Sequence, residues 1–292
     1  MAPSTRMTVP AIRDRKASDA AAGRVSDPLV MVTAYDAPGA RIVDEAGVDM
    51  ILVGDSLAMV VLGYEDTLQV TVDDIAHHTA AVARTKPNAL IVADLPWMSY
   101  HVSAEDTVRN AAVLIRAGAQ SVKLEGGRKR LPMIEALIDA EIPVMGHLGL
   151  TPQSVHAMGG FKVQARKSEA ALELLADAKA LQHAGCFAIV LEGVPDEVAH
   201  MVTESLDVPT IGIGAGRDCD GQVLVYHDVL GIEDRMAPKF VRRYAAVKEA
   251  SVDAIRDFAA DVRSGAFPDA SESYHLSADQ AEALSLYGSG SH

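Results

Sequence analysis

The chain has 292 residues, 49% of them hydrophobic and 23% charged, with 22 Gly and 13 Pro. That balance excludes disordered, collagen-like and low-complexity chains, and the length suits two average domains or one closed β/α barrel. With 26 Lys+Arg against 40 Asp+Glu the net charge is −14, so the surface is expected to repel nucleic acid and anionic lipid, and Cys186 and Cys219 are too few for a disulfide framework or a thiolate metal site.

Met1 to Arg6 are not followed by an apolar run of the secretory kind. Apolar runs such as Met50–Val53 and Ala89–Ala93 are of strand length, far short of the roughly 20 residues that cross a bilayer. A cytoplasmic protein without a membrane segment is expected. Residues 1–28 are charged and Ala-rich, an amino-terminal extension with a short helix near Ile12–Ala22.

Beyond it, short β-branched runs alternate with longer helical patterns. The strands expected in chain order are Leu29–Ala34, Asp49–Gly54, Ala89–Asp94, Gln120–Glu125, Pro143–His147, Phe187–Glu192, Val208–Gly212 and Gln222–Tyr226. They are apolar nearly throughout, as in a parallel sheet covered on both faces. Between them the pattern predicts helices over Pro38–Ala46, Val72–Thr85, Ala104–Ala117, Leu131–Asp139, Ser168–Ala184 and Pro195–Ser205. Three of these stop at a glycine, Gly47, Gly118 and Gly185, the usual helix end.

Eight strands with helical crossovers favour a (β/α)8 TIM barrel over an open doubly wound sheet. The seventh βα unit is irregular, because only about nine residues separate the seventh strand from the eighth, too few for a crossover helix. Ala215–Gly221 reads there as a loop or a single turn. The catalytic domain is expected over 29–268 and a carboxyl-terminal extension over 269–292. In that extension Asp269–Ser273 reads as a linker, Ser277–Gln280 as a capping box opening a short helix, and Gly288–His292 as disordered.

Five successive strands carry an ionisable residue at their carboxyl ends: Asp55 just after the second, Asp94 on the third, Glu125 on the fourth, His147 on the fifth and Glu192 on the sixth. In β/α barrels that rim holds the catalytic groups, whereas ionisable residues deeper inside carry a desolvation penalty. Strand alternation places Lys123 with Glu125 on one face, Val53 with Asp55 and Val92 with Asp94. Each residue has a structural explanation too. Asp55-Ser56 could cap a turn, Asp94 could start a loop, Lys123 and Glu125 could be an ion pair, His147 a packed histidine, Glu192 a loop carboxylate. Together they point at one rim, which separate accidents would not.

Three carboxylates, Asp55, Asp94 and Glu125, gathered without cysteine suit a hard cation such as Mg²⁺ that keeps some of its water. Lys123 offers positive charge to an anionic substrate group; beside carboxylates its ammonium stays charged, which opposes Schiff-base chemistry. Metal-assisted carbanion chemistry follows, with Glu192 as proton acceptor. The glycine run Gly212-Ile-Gly214-Ala-Gly216 has the wrong spacing for a P-loop or dinucleotide fingerprint, and reads as a tight turn with close backbone approach or as a ligand contact.

At these residues the sequence resembles the ketopantoate (3-methyl-2-oxobutanoate) hydroxymethyltransferases of pantothenate biosynthesis. The resemblance runs along Thr33–Asp36, Val53–Ser56, Ala93–Pro96, Val122–Gly127, Gly146–Ser154, Gly159–Gln164 and Ile211–Gly216, within residues 29–268. It implies a β/α barrel assembled as a homodecamer. It also implies transfer of a hydroxymethyl unit from 5,10-methylenetetrahydrofolate to 3-methyl-2-oxobutanoate, giving 2-dehydropantoate. By it, Asp55, Asp94 and Glu125 surround Mg²⁺, Asp55, Ser56, Asp94 and Lys123 contact the keto acid, and Glu192 accepts the proton; His147, from its place on the same rim, is expected in support. The sequence departs from the family pattern at Ala165, where Gly is common.

The rival reading is a related Mg²⁺-dependent α-keto acid lyase or mutase of the phosphoenolpyruvate mutase/isocitrate lyase type, although neither Cys186 nor Cys219 lies in a rim loop comparable to the cysteine loop of isocitrate lyases. A non-catalytic barrel would have no need of the full acidic set. Two long loops, Leu57–Thr71 and Leu148–Lys167, are expected to close the site. The basic run Arg128-Lys129-Arg130, at a helix start, calls for a compensating anion such as the folate glutamate tail, or is simply a solvated turn.

Overall fold

The structure, a computed structural model, describes residues 6–21, 27–160, 162–233 and 238–288. Residue 22 of the expected first helix, Phe161 of the Gly159–Gln164 motif and the terminal Ser289–His292 lie outside the described residues.

Eight strands form: β1 (Leu29–Thr33), β2 (Met50–Val53), β3 (Leu90–Asp94), β4 (Ser121–Glu125), β5 (Val144–Gly149), β6 (Ala188–Glu192), β7 (Thr210–Ile213) and β8 (Gly221–Leu224). Each runs parallel to the next, and β8 pairs with β1 to close the barrel. The expected (β/α)8 architecture is thus present. No helix intervenes between β7 and β8, as the short spacing required.

Thirteen α-helices are described: α1 (Val9–Arg13), α2 (Arg15–Ala21), α3 (Ala37–Glu45), α4 (Leu57–Val60), α5 (Val72–Ala83), α6 (Ala104–Ala117), α7 (Leu131–Asp139), α8 (Val155–Met158), α9 (Ser168–His183), α10 (Asp196–Glu204), α11 (Tyr226–Leu230), α12 (Val247–Ser264) and α13 (Ala278–Gly288). The six helices predicted between the strands form with ends shifted by two residues or fewer. Local chemistry sets those ends: Thr71 and Asp74 cap α5 reciprocally, and the Ser103 hydroxyl accepts the Asp106 N–H to open α6. The short α4, α8 and α11, and the long α12, have no counterpart in the sequence reading.

Strand alternation builds two cores. Ile51, Val53, Val122, Leu124, Ile189 and Leu191 pack outward against the helices. Met50, Leu52, Val92, Met145, Val190 and Val223 fill the barrel interior. Ile12 of α1 joins that interior set and is fully buried, so a helix preceding β1 plugs the barrel. Lys16 of α2 then donates to the carbonyls of Thr203 and Leu206 and pairs with Asp220 at 3.4 Å.

The chain divides into two compact units, residues 1–244 and 245–292. In the second, Phe258 of α12 meets Phe267 edge to face, and Asp269 caps a 3-10 turn at Ala270–Glu272 where the sequence suggested only a linker. The helix expected after Ser277 forms as α13. No helix among the described residues is long and apolar enough to cross a membrane.

Candidate active site

Because Val122 and Leu124 face the helices, Lys123 and Glu125 face the barrel axis at the carboxyl end of β4. Parallel register aligns Asp94 with Lys123 and Glu125 with His147, so charge stands beside charge along the rim. Glu192 follows Val190 on the inner face of β6. Asp55 reaches the same place by another route. Val53 packs outward, so the expected shared face of Val53 and Asp55 does not hold: β2 ends at Val53 and the chain turns at Gly54. Asp55, Asp94, Lys123, Glu125 and His147 are all buried, and Glu192 keeps 16% of its side chain exposed.

Lys123 Nζ lies 2.8 Å from Asp94 Oδ1 and 3.4 Å from His147 Nδ1. The other Asp94 oxygen accepts the Asp55 N–H at 3.0 Å. His147 Nε2 lies 3.2 Å from Glu192 Oε2, and its Nδ1 3.6 Å from Glu125 Oε1. A charged lysine can only donate, so His147 Nδ1 faces it as acceptor and Nε2 carries the proton toward Glu192. Ser56 Oγ sits 2.9 Å from the Tyr35 hydroxyl, which burial keeps protonated.

Two further residues, given no role in the sequence reading, bind the carboxylates together. Gln153 donates its side-chain amide to Asp55 Oδ2 at 2.8 Å and to the Leu95 carbonyl, and its backbone N–H to Glu125 Oε2 at 3.0 Å. Tyr100 donates its hydroxyl to Gln153 Oε1 at 2.6 Å and accepts the Glu125 N–H at 3.2 Å. Gln153 lies within the Gly146–Ser154 motif, but an uncharged amide in a loop gives no signal that it will meet a carboxylate 98 positions earlier.

Burial, and then the neighbouring Asp94 charge, pushes the Asp55 carboxyl up to about 7. Burial and the Asp55 charge likewise raise Glu125 well above the carboxylate range. Burial alone would lower Lys123, but Asp94, Asp55 and Glu125 together raise it, keeping the ammonium charged as expected. Burial and Lys123 hold His147 below its ordinary value and therefore neutral. Carboxylates so disfavoured as anions call for a cation. Among the described residues no three His, Cys, Asp or Glu side chains converge as a direct ligand set. Asp55, Asp94 and Glu125 offer oxygen donors alone, the type taken by a hard ion that retains water and needs few protein oxygens.

The loop after β5 is stitched to the site at both ends, through Gln153 and through the Gln164 N–H, which donates to the carbonyl of Gly193 next to Glu192. Gly149 allows β5 to approach β6, since a Cβ there would lie 2.2 Å from the Glu192 carbonyl. The glycine run after β7 serves close approach, because a Cβ on Gly216 would meet that of Asp196 at 2.4 Å. The anion expected at the basic run comes from the chain itself: Arg128 pairs with Asp177 and Glu173 of α9.

The sequence profile of the ketopantoate hydroxymethyltransferase family matches residues 7–270. A "3-methyl-2-oxobutanoate hydroxymethyltransferase 2" of Bradyrhizobium diazoefficiens is 57% identical over 94% of this chain and 91% of its own. Among solved structures, a phosphonopyruvate hydrolase in complex with oxalate and Mg++ aligns with a TM-score of 0.57 at 18% identity, over 97% of this chain and 99% of that one. A 2,3-dimethylmalate lyase of the PEP mutase/isocitrate lyase superfamily aligns with a TM-score of 0.57 at 14% identity, over 97% of this chain and 96% of that one. These two likenesses are of fold.

Proposed function

The chain belongs to the ketopantoate hydroxymethyltransferase family, and from that premise we propose how its own residues perform the reaction. It is an enzyme of pantothenate biosynthesis that transfers a hydroxymethyl group to 3-methyl-2-oxobutanoate, giving 2-dehydropantoate. The donor we infer is 5,10-methylenetetrahydrofolate, and the metal Mg²⁺, held among Asp55, Asp94 and Glu125. The phosphonopyruvate hydrolase of like fold, solved with oxalate and Mg++, supports that choice of metal. When bound, the ion supplies Lewis-acid polarisation of the substrate carbonyl.

The remaining work falls to side chains. Lys123, held charged beside Asp94, attracts the keto-acid carboxylate, and its third N–H remains free for it. Ser56 shares a 2.9 Å hydrogen bond with the Tyr35 hydroxyl, which fixes the position of its oxygen for a contact with the keto acid. Glu192 accepts the C3 proton; the C–H electron pair passes into the enolate, which bonds to the donor's methylene carbon while both C–N bonds to that carbon are released to nitrogen. Water supplies the hydroxyl, and the C3 proton and the second water proton end on the two folate nitrogens, leaving tetrahydrofolate. Neutral His147 places Nε2 3.2 Å from Glu192 Oε2, without a hydrogen bond to it in the resting site, and so lies beside that carboxylate without competing for the proton.

The observation that carries this reading is the run Asp94–Lys123–His147–Glu192, which ties the cation-seeking carboxylates to the one less buried acid. The test is deuterium exchange at C3 of 3-methyl-2-oxobutanoate. Exchange is expected with Mg²⁺, absent in EDTA, and absent in Glu192→Gln although that variant still binds keto acid. Near-wild-type exchange in Glu192→Gln removes Glu192 from the role. A homodecamer remains part of the proposal, to be checked by sedimentation.

A further inference from the structure

Beside the carboxylates lies a half-open cavity of about 260 Å³, lined among others by Trp97, His101, Arg130, Gln153 and His156. Its walls come from the connections after β2 (Leu68), β3, β4 and β5, at the catalytic end of the barrel. Gln153 is shared: it lines the cavity and holds Asp55 and Glu125. A second groove, about 390 Å³ between α7 and α9, carries Glu135 and Asp139 and none of the rim residues.

The chemistry of the smaller cavity is specific. Its volume falls near the lower edge of small-molecule sites, enough for a fused ring system and too little for a large ligand entire. Trp97, 43% exposed, offers aromatic surface at the rim. The next residue, Met98, is held at a φ of 68°, which a residue with a side chain adopts only when its surroundings impose it. The Arg130 guanidinium stands over the Tyr100 ring, 5.5 Å from its centroid, and has no ion-pair partner among the described residues, unlike Arg128. Tyr100 in turn stacks against His101, with ring centroids 4.2 Å apart. Burial and Arg130 push His101 down to about 4, so its imidazole is neutral and can donate at one nitrogen and accept at the other. The Gln153 amide is already spent on Asp55 and Leu95, which makes it a wall.

Aromatic surface, one unpaired guanidinium and a neutral imidazole together suit a planar heteroaromatic ring bearing carbonyl and ring-nitrogen acceptors. We propose that this cavity receives the bicyclic pteridine end of the one-carbon donor, placing it one side chain away from the keto-acid site. The proposal rests on the reading above that the donor is a reduced folate.

Trp97 is the only tryptophan in the chain, so its emission reports on the cavity directly. Titration of the Mg²⁺-loaded enzyme with 5-formyltetrahydrofolate, and separately with 6-methyltetrahydropterin, is expected to change Trp97 fluorescence saturably. p-Aminobenzoylglutamate is expected to leave it unchanged. Ala157→Phe, which fills the cavity from α8, and Arg130→Met are each expected to weaken 5-formyltetrahydrofolate binding by ~10-fold or more in calorimetry. Calorimetric binding with a silent Trp97, a fluorescence response to p-aminobenzoylglutamate in place of the pterin, or full affinity in Ala157→Phe overturns the assignment. C3 exchange, which needs no donor, is measured separately in the wild-type enzyme. Its loss would sink the proposed function and leave a pteridine response standing, while a silent cavity with intact exchange would do the reverse.

Discussion

Gln153 donates its side-chain amide to Asp55 Oδ2 at 2.8 Å, across 98 positions of sequence. Groups that orient metal-holding carboxylates commonly change metal affinity by about 10–100-fold when removed. Gln153→Leu, of similar bulk, is therefore expected to raise the Mg²⁺ concentration needed for half-maximal C3 exchange by at least ~10-fold. Titrating exchange against Mg²⁺ checks this, and an unchanged midpoint would show that the amide does not tune the carboxylates.

Lys123 and Asp94 form a buried ion pair at 2.8 Å. Removing one partner of such a pair costs about 3–5 kcal/mol, because the other is left as an unpaired buried charge. Lys123→Met should lower unfolding free energy by that order in metal-free buffer. The double variant with Asp94→Asn should lose less than Lys123→Met alone. Additive losses in urea titrations would mean that the pair is not coupled.

The pH dependence of the metal-free protein has a definite sign. The folded Asp55 carboxyl titrates at about 7 against an ordinary 3.8, and Glu125 is raised as well. Between those values the folded state holds protons that the unfolded chain has released, so stability falls as the pH rises through the window. In EDTA, the urea midpoint of the wild-type protein should therefore decline as the pH is raised from about 4 to about 7. Asp55→Asn should flatten this part of the profile, because the amide has no proton to hold. Parallel pH profiles for the two proteins would refute the assignment.

Ile12 is fully buried inside the barrel with Met31, Met145 and Phe187 around it in the same core. Truncating a buried isoleucine to alanine removes about 2–5 kcal/mol. Ile12→Ala should show that loss in urea unfolding. A loss under ~0.5 kcal/mol, as at surface positions, would mean that the plug contributes little to the fold.

Much of the site was legible because parallel strands impose it. Once β4 and β5 were placed, Lys123, Glu125 and His147 followed from alternation and from the rule that rim residues act. Asp55 was found for a reason that failed, since alternation ends with the strand at Val53 and the turn at Gly54 delivers the carboxylate. Tyr100 and Gln153 were hidden because their roles depend on contacts between loops, which no periodicity encodes. Ala165 shows a subtler limit: the resemblance leads to an expectation of glycine there, and the alanine still adopts a φ of 53°. The loop's anchoring at Gln164 overrides the local preference of the side chain. The helix α12 escaped notice because its apolar residues, Val252, Ile255, Phe258 and Val262, are largely exposed in this chain and diluted by alanine and charge.

The two stitches of the β5–α9 connection, at Gln153 and at Gln164, act like fixed door posts. A graft of residues 155–163 from another relative would keep both stitches, so the acids and the lysine behind them are expected to hold their positions. Traffic through the entrance and the bond-making step are thereby separable, and a graft of that stretch should alter how fast substrates come and go before it alters what is done to them.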